Sequence, residues 1–181
     1  MAIHSPENKL WWKEPLDKLE ITWITIAFLW GVLMFSTMVF WHITGTQNLS
    51  NEAYRVKPAV FAAKAEAMTK KYKVREEGDT GIPVVHPPAG SDIYIIARLW
   101  EWWPILELEK GQKYRLHLSS MDWLHGFSLQ PVNINIEVHP NYEMVLTLTP
   151  TDSGEFGIVC NEYCGIGHHT MIGKIYVVDK K

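Results

Sequence analysis

The stretch Glu155–Val178, EFGIVCNEYCGIGHHTMIGKIYVV, holds two β-rich runs, EFGIVC (Glu155–Cys160) and KIYVV (Lys174–Val178), on either side of a loop crowded with soft donor groups. Cys160, Cys164, His168 and Met171 fall at offsets 0, 4, 8 and 11 from the end of the first run. Thiolate, thioether and imidazole together select copper, zinc or iron–sulfur chemistry over hard cations. Gly165 and Gly167 make a tight turn possible, so that His168 can fold back toward the cysteines instead of pointing away along a strand.

Similar runs precede this segment: IYIIARLW (Ile93–Trp100), ILELE (Ile105–Glu109), KYRLHL (Lys113–Leu118), VNINIEV (Val132–Val138) and MVLTLT (Met144–Thr149). Several alternate apolar with polar residues, and they recur at roughly 8–12-residue spacing, the pattern of a β-sandwich or barrel. The fold class is therefore mainly β, with one sandwich over residues 91–181. There is no helix–strand alternation, Gly-rich phosphate loop or nucleophile elbow, which argues against a nucleotide-dependent or hydrolytic enzyme.

Ahead of the strands, Ile21–Ile43 (ITWITIAFLWGVLMFSTMVFWHI) runs for 23 residues without Asp, Glu, Lys or Arg. At 1.5 Å per residue this is roughly 34 Å of helix, enough to cross a hydrocarbon core of about 30 Å. Trp23 and Trp41 stand near its ends, where amphipathic rings favour the headgroup level. The apolar stretch is too long for a signal-peptide core, and no small-x-small cleavage site follows it. This gives an N-terminal flank at 1–20 and an uncleaved transmembrane helix at 21–43, with lipid as a partner. Basic residues on both sides leave its orientation unassigned by charge. Residues 44–90 read as a connector. Pro58 can open a helix, and AVFAAKAEAMTKKYK (Ala59–Lys73) is rich in strong helix formers, which predicts a short helix over 58–73 lying on the membrane, on a partner or in solvent. The Gly, Pro and charge between Glu76 and Gly90 mark a domain boundary, with His86 in an exposed loop. Residues 91–181 are then expected to fold alone.

In a chain of 181 residues, 47% apolar and 20% charged, there is enough apolar material for one core and no room for a multi-domain enzyme. Residues 1–90 carry ten Lys/Arg against nine Asp/Glu (+1), and residues 91–181 carry seven against eleven (−4). A nucleic-acid binder would show a basic patch, and the C-terminal half is the reverse, so nucleic acid is not an expected partner. The two cysteines are only four apart, unlike the spread framework of a disulfide-stapled domain. A fourth strong ligand must come from elsewhere, and the candidates are His117, His125 and His139. His117 sits inside an alternating strand and His139 precedes Pro140 in a turn. His125 follows Asp122-Trp123-Leu124 and precedes Gly126, which suits a loop at the cysteine end of a sandwich. Three metal readings stand open. A structural zinc site leaves Met171 unused. A mononuclear blue-copper site leaves one cysteine unused. A dinuclear copper centre uses both thiolates as bridges, one imidazole per metal, and the thioether and a main-chain carbonyl as weak ligands.

From about Asp92 to Val178 the chain resembles the copper-A domain of subunit II of haem–copper terminal oxidases, in particular the shorter single-anchor form of the B-type (ba3-like) enzymes. The family pattern Cys-x-Glu/Gln-x-Cys-x3-His-x2-Met is met by Cys160, Glu162, Cys164, His168 and Met171, and its upstream Asp-x-x-His by His125. The resemblance implies a cupredoxin-like Greek-key sandwich and a dinuclear copper-A cofactor. His125 and Met171 would complete one copper, and His168 and the main-chain carbonyl of Glu162 the other; His169 is not a ligand position. The run Trp100-Glu101-Trp102-Trp103 resembles the family's tryptophan-rich patch, so Trp100, Trp102 and Trp103 are expected at the donor-docking surface. One membrane helix stands where the commoner subunit has two.

Such a site leaves no position open for a substrate, so no residue of this chain is expected to be catalytic. By the resemblance, the chain is the electron-receiving subunit of a cytochrome c oxidase, with its copper domain on the outer face of the cell membrane. It would accept single electrons from cytochrome c or a small copper protein and pass them to haem in a catalytic membrane subunit that reduces O2. A nitric oxide reductase with a copper-A subunit is the alternative, and a membrane-tethered copper carrier a further one. Glu101, Glu107, Glu109, Asp122 and Glu155 are candidates for a donor-attracting surface, against an apolar docking patch at Trp102, Trp103 and Pro104.

Overall fold

The computed structural model of the chain describes residues 15–45, 52–132 and 134–180. Residues 1–14 of the expected flank, residues 46–51 of the expected connector, Asn133 and Lys181 lie outside them. The chain divides into two compact units, Met1–Asn48 and Leu49–Lys181.

In the first unit, helix α1 spans Lys18–Thr44, three residues earlier and one later than the apolar run. Asp17 opens it with a capping box: its carboxylate accepts from the Glu20 amide at 2.7 Å, and the Glu20 carboxylate accepts from the Asp17 amide at 2.9 Å. None of its residues is buried against protein. The hydroxyls of Thr22, Thr25, Ser36 and Thr44 donate to carbonyls one turn back, so these groups need no water. With no face buried against protein, the helix is long and apolar enough to cross a membrane. At 27 residues it is about 40 Å long.

The second unit contains two sheets. The first has the order β1-β10-β7-β4-β5 and the second β2-β3-β6-β12-β11-β8-β9. Their strands are β1 (Glu52–Arg55), β2 (Lys73–Glu77), β3 (Ile82–Val85), β4 (Asp92–Arg98), β5 (Glu101–Trp103), β6 (Ile105–Glu109), β7 (Tyr114–Ser120), β8 (His125–Gln130), β9 (Ile134–Val138), β10 (Tyr142–Leu148), β11 (Gly154–Cys160) and β12 (Ile172–Val178). The period-2 alternation read from the sequence is what fills the space between them. Along β7, Tyr114, Leu116 and Leu118 join the core, while Arg115, His117 and Ser119 take the other face. Ile93, Ile95 and Ala97 of β4 join Leu106, Leu108, Phe127 and Ile158 in the same cluster. Parallel pairing of β4 with β7 and of β6 with β12, amid otherwise mostly antiparallel neighbours, gives the mixed sheets of a Greek-key sandwich.

The boundary expected at Gly90 does not hold. β1 pairs with β10 in the first sheet, and β3 pairs with β6 in the second. The helix expected at 58–73 is α2, Pro58–Tyr72, and it packs on the sandwich instead of standing free. Phe61 and Ala65 are fully buried with Ile96 of β4, and the Phe61 ring meets Tyr94 edge-on at 5.6 Å. Under α2, His117 stacks on Tyr94 at 4.7 Å, and its ring nitrogens contact Glu143 at 2.6 Å and Asp92 at 3.1 Å. Lys64 of α2 reaches the same Glu143 at 3.2 Å. The apolar side noted on this helix is a core face, and composition alone gave no sign of its partner.

Candidate metal centre

Two backbone pairings assemble the site. β11 runs antiparallel to β8 and to β12, which sets Cys160, its last residue, opposite Phe127. The loop from Cys160 to Met171 is closed at its neck by the Cys160 amide donating to the Met171 carbonyl at 3.2 Å. The Asn161 amide donates to the Gly126 carbonyl at 3.2 Å, fastening the loop to β8. Gly126 has no room for a side chain, since a Cβ there would lie 2.1 Å from Asn161 Oδ1 and 2.7 Å from the Glu162 nitrogen. Gly165 takes φ +107°, a conformation open to glycine, and begins the turn that brings His168 back. His168–Thr170 form one turn of 3₁₀ helix, with the Met171 amide donating to the His168 carbonyl. His125 was expected in a loop and is instead the first residue of β8, a strand the sequence reading missed.

The soft donors meet at short range. Cys160 Sγ lies 3.6 Å from Cys164 Sγ, 3.9 Å from His125 Nδ1 and 3.2 Å from the Glu162 carbonyl oxygen. Cys164 Sγ lies 3.7 Å from His168 Nδ1 and 3.8 Å from Met171 Sδ. Met171 Sδ and His125 Nδ1 are 3.1 Å apart. Cys160, Cys164, His125 and Met171 are buried, and His168 is partly exposed beside Tyr163, ring centres 5.9 Å apart. Both imidazoles therefore turn Nδ1 toward sulfur. His117 and His139 are elsewhere occupied, the latter at 3.1 Å from Glu137.

The electrostatics fit a metal-binding pair. Burial, and then the hydrogen bond shared with Cys160, push the Cys164 thiol up to about 12. A thiol held neutral at working pH gives up its proton when a cation takes its place. Beside it, burial works to raise the Asp122 carboxyl, but hydrogen bonds from His125 and from the Trp123 and Leu99 amides outweigh it and hold the group below its ordinary value. With sulfur and imidazole donors converging and a carboxylate one layer behind, the residues match a copper-type donor set.

No protein-family model matches the chain. A cytochrome c oxidase subunit 2 of Thermus thermophilus is 35% identical over 109 residues, 58% of this chain and 81% of that one. The chain belongs to the cytochrome c oxidase subunit 2 family. A second protein of that name, also from Thermus thermophilus, is 35% identical over 109 residues, 58% of this chain and 65% of its own length. A heme-copper terminal oxidase dimer solved by cryo-EM contains a chain that aligns over 89% of this one and 100% of itself, with TM-score 0.56 and 20% identity, the same fold. As a member of this family the chain is the electron-transfer subunit of a terminal oxidase, and among the described residues one helix, α1, is long and apolar enough to anchor it in a membrane. The nitric oxide reductase alternative is not favoured.

Within this subunit 2, the three tryptophans part company. Trp100, at the tip of the β4–β5 hairpin, is 39% exposed, and its Nε1 donates to the Cys164 carbonyl at 3.2 Å. Its ring lies on Gly165 and Gly167; a Cβ on Gly167 would sit 2.2 Å from it. Trp102 is 2% exposed, edge-on to His125 and Phe127, so it has no surface to offer a donor and the docking role expected of it fails. Trp103 is half-buried, with the Arg98 guanidinium 5.9 Å away. The acidic surface also reads differently in three dimensions. Glu101, Glu107 and Glu155 are paired with Arg98, Arg75 and Lys174, and Asp122 is turned inward. Around Trp100 stand exposed apolar residues: Leu99 beside it, Ile166 between the two glycines under its ring, and Tyr163 on the same loop. Alternation patterns could not have found this patch, because a loop has no face.

Proposed function

We propose that the chain holds a dinuclear copper-A centre at His125, Cys160, Glu162, Cys164, His168 and Met171. The observation that carries this reading is the 3.6 Å separation of two buried sulfurs, each with an imidazole Nδ1 within 4 Å. Cys160 and Cys164 would be shared by the two coppers, with His125 and Met171 held to one and His168 and the Glu162 carbonyl to the other, as the family resemblance implies. When bound, the copper pair would supply a one-electron store. The chain's own part is to hold six donors in a fixed frame, keep water from all but the His168 side, and present Trp100 to a donor. That donor is a cytochrome c or small copper protein with an apolar rim, supported by the exposed Leu99, Trp100 and Ile166 and by the pairing of Glu101 with Arg98. The electrons go on to haem in a catalytic membrane subunit that reduces O2, and the sandwich lies on the outer face of the membrane, as the family resemblance implies.

Metal analysis and EPR test the centre. The reading requires two coppers per chain and an unpaired spin coupled to both nuclei. Cys160→Ser and Cys164→Ser should each abolish that signal, whereas Met171→Leu, which removes only a weak axial ligand, should keep both coppers. One zinc per chain, or a spin coupled to one copper nucleus, refutes it.

A further inference from the structure

The Asp122 carboxylate is shared between two parts of the fold. Its Oδ1 accepts from His125 Nε2 at 2.7 Å and from the Trp123 amide at 2.6 Å, with Ser120 Oγ donating at 3.3 Å. Its Oδ2 accepts from the Leu99 amide at 2.8 Å. Leu99 and Trp100 form the tip of the β4–β5 hairpin, whose base is held by the Arg98–Glu101 ion pair. Trp100 in turn donates to the Cys164 carbonyl. These contacts close a ring that runs from His125 through Asp122, Leu99 and Trp100 to Cys164, and the two ends of the ring are residues whose side-chain donors face each other across the metal cluster.

We propose that Asp122 is a positioning residue that couples the His125 imidazole to the Trp100 hairpin tip, so that ligand and donor-facing indole are set by one group. The proposal rests on the copper reading of the loop. Accepting the Nε2 proton assigns the tautomer that leaves the Nδ1 lone pair facing the thiols, and it fixes the ring about its long axis. The opposite oxygen is committed to Leu99, so a shift of the hairpin tip pulls on the same carboxylate. A carboxylate that only stabilised its own turn would need the Ser120 and Trp123 contacts and neither of the others.

The test uses the metal-free full chain in detergent, titrated with Cu(I) against a chromophoric Cu(I) chelator. Asp122→Asn keeps the shape but offers one acceptor oxygen where three N–H donors are shared between two. It should lower Cu(I) affinity by about 10–100-fold. Trp100→Phe removes the indole N–H. It should lower affinity by a smaller factor in the native background and by none in the Asp122→Asn background, where the ring is already open. The His125 Nε2 proton, observed by NMR of the metal-free chain, should exchange faster in Trp100→Phe, although Asp122 is untouched there. Affinity of Asp122→Asn within about twofold of native, or an equal Trp100→Phe factor in both backgrounds, overturns the coupling. Unchanged exchange of the His125 proton in Trp100→Phe overturns it as well, whether or not the Asp122 variant folds. Cys160→Ser separates the two levels: native Cu(I) affinity in that variant refutes the copper reading itself.

Discussion

Replacing Phe61 by alanine decides whether α2 belongs to the sandwich or merely connects it to the membrane. Phe61 is fully buried, sharing a small cluster with Ala65 and Ile96, with its ring edge on Tyr94. Truncating a buried Phe to Ala costs about 3–5 kcal/mol, the lost transfer free energy together with the cavity left behind. A solvent-facing residue on a connector would cost within about 0.5 kcal/mol. The unit Leu49–Lys181 unfolded in urea, with a denaturant slope of about 2 kcal/mol/M, should therefore show a midpoint lowered by roughly 1.5–2.5 M in Phe61→Ala. Val60 precedes it on the same helix and is 50% exposed, so Val60→Ala is the matched control and should leave the midpoint almost unmoved. Equal midpoints for the two variants would refute the packing of α2 on β4. A large change in slope would mean that the transition is no longer all-or-none, and the midpoint would then lose its meaning.

Three further outcomes follow from the site. Gly167→Ala places a methyl against the flat of the Trp100 ring and should destabilise the Leu49–Lys181 unit by about 1–3 kcal/mol, most of it relieved by Trp100→Ala in the double variant; additive effects in urea unfolding would argue against the contact. Because Cys164 is neutral up to about 12, loading a cation must expel its proton, and apparent metal affinity should rise with pH, about tenfold per unit for each proton released. Proton release on metal addition, followed with an indicator dye in weak buffer, checks this, and no release would contradict it. The sign for the metal-free fold is the opposite: a thiol raised from 9.0 favours the fold fully below pH 9 and loses that contribution as pH climbs toward 12. Finally, stopped-flow reduction by the native donor should vary by less than about tenfold between low salt and about 0.2 M, since Glu101, Glu107 and Glu155 are already paired; a steeper fall would restore charge steering as the docking force.

The chemistry of the site is carried by spacing, and spacing is a property of the sequence. Cys160, Cys164, His168 and Met171 lie within one loop, so the loop alone brings four soft donors together, and the strands on either side follow from residues that alternate along a pleat. The membrane helix is equally local, because its composition has only to suit lipid. Other features depend on contacts between residues far apart in the chain. His125 joins the cysteines through the pairing of β8 with β11, and β8 was missed because HGFSLQ, buried at every position but the last, shows no alternation. Residues 52–85 read as a linker because short strands, the outer two (β1 and β2) polar and at sheet edges, and an Ala/Lys-rich helix carry weak local signals, yet pairing with β10 and β6 and the burial of Phe61 draw them into the domain. Trp100 and Trp102 stand two apart in one sequence motif and lead opposite lives, one laid over the metal loop and the other sealed in the core. Local sequence sets which donors and which periodicities are present. Which face meets the core, and which carboxylate stands behind a ligand, is decided by the packing of distant strands, where burial and hydrogen-bond satisfaction act over the whole fold at once.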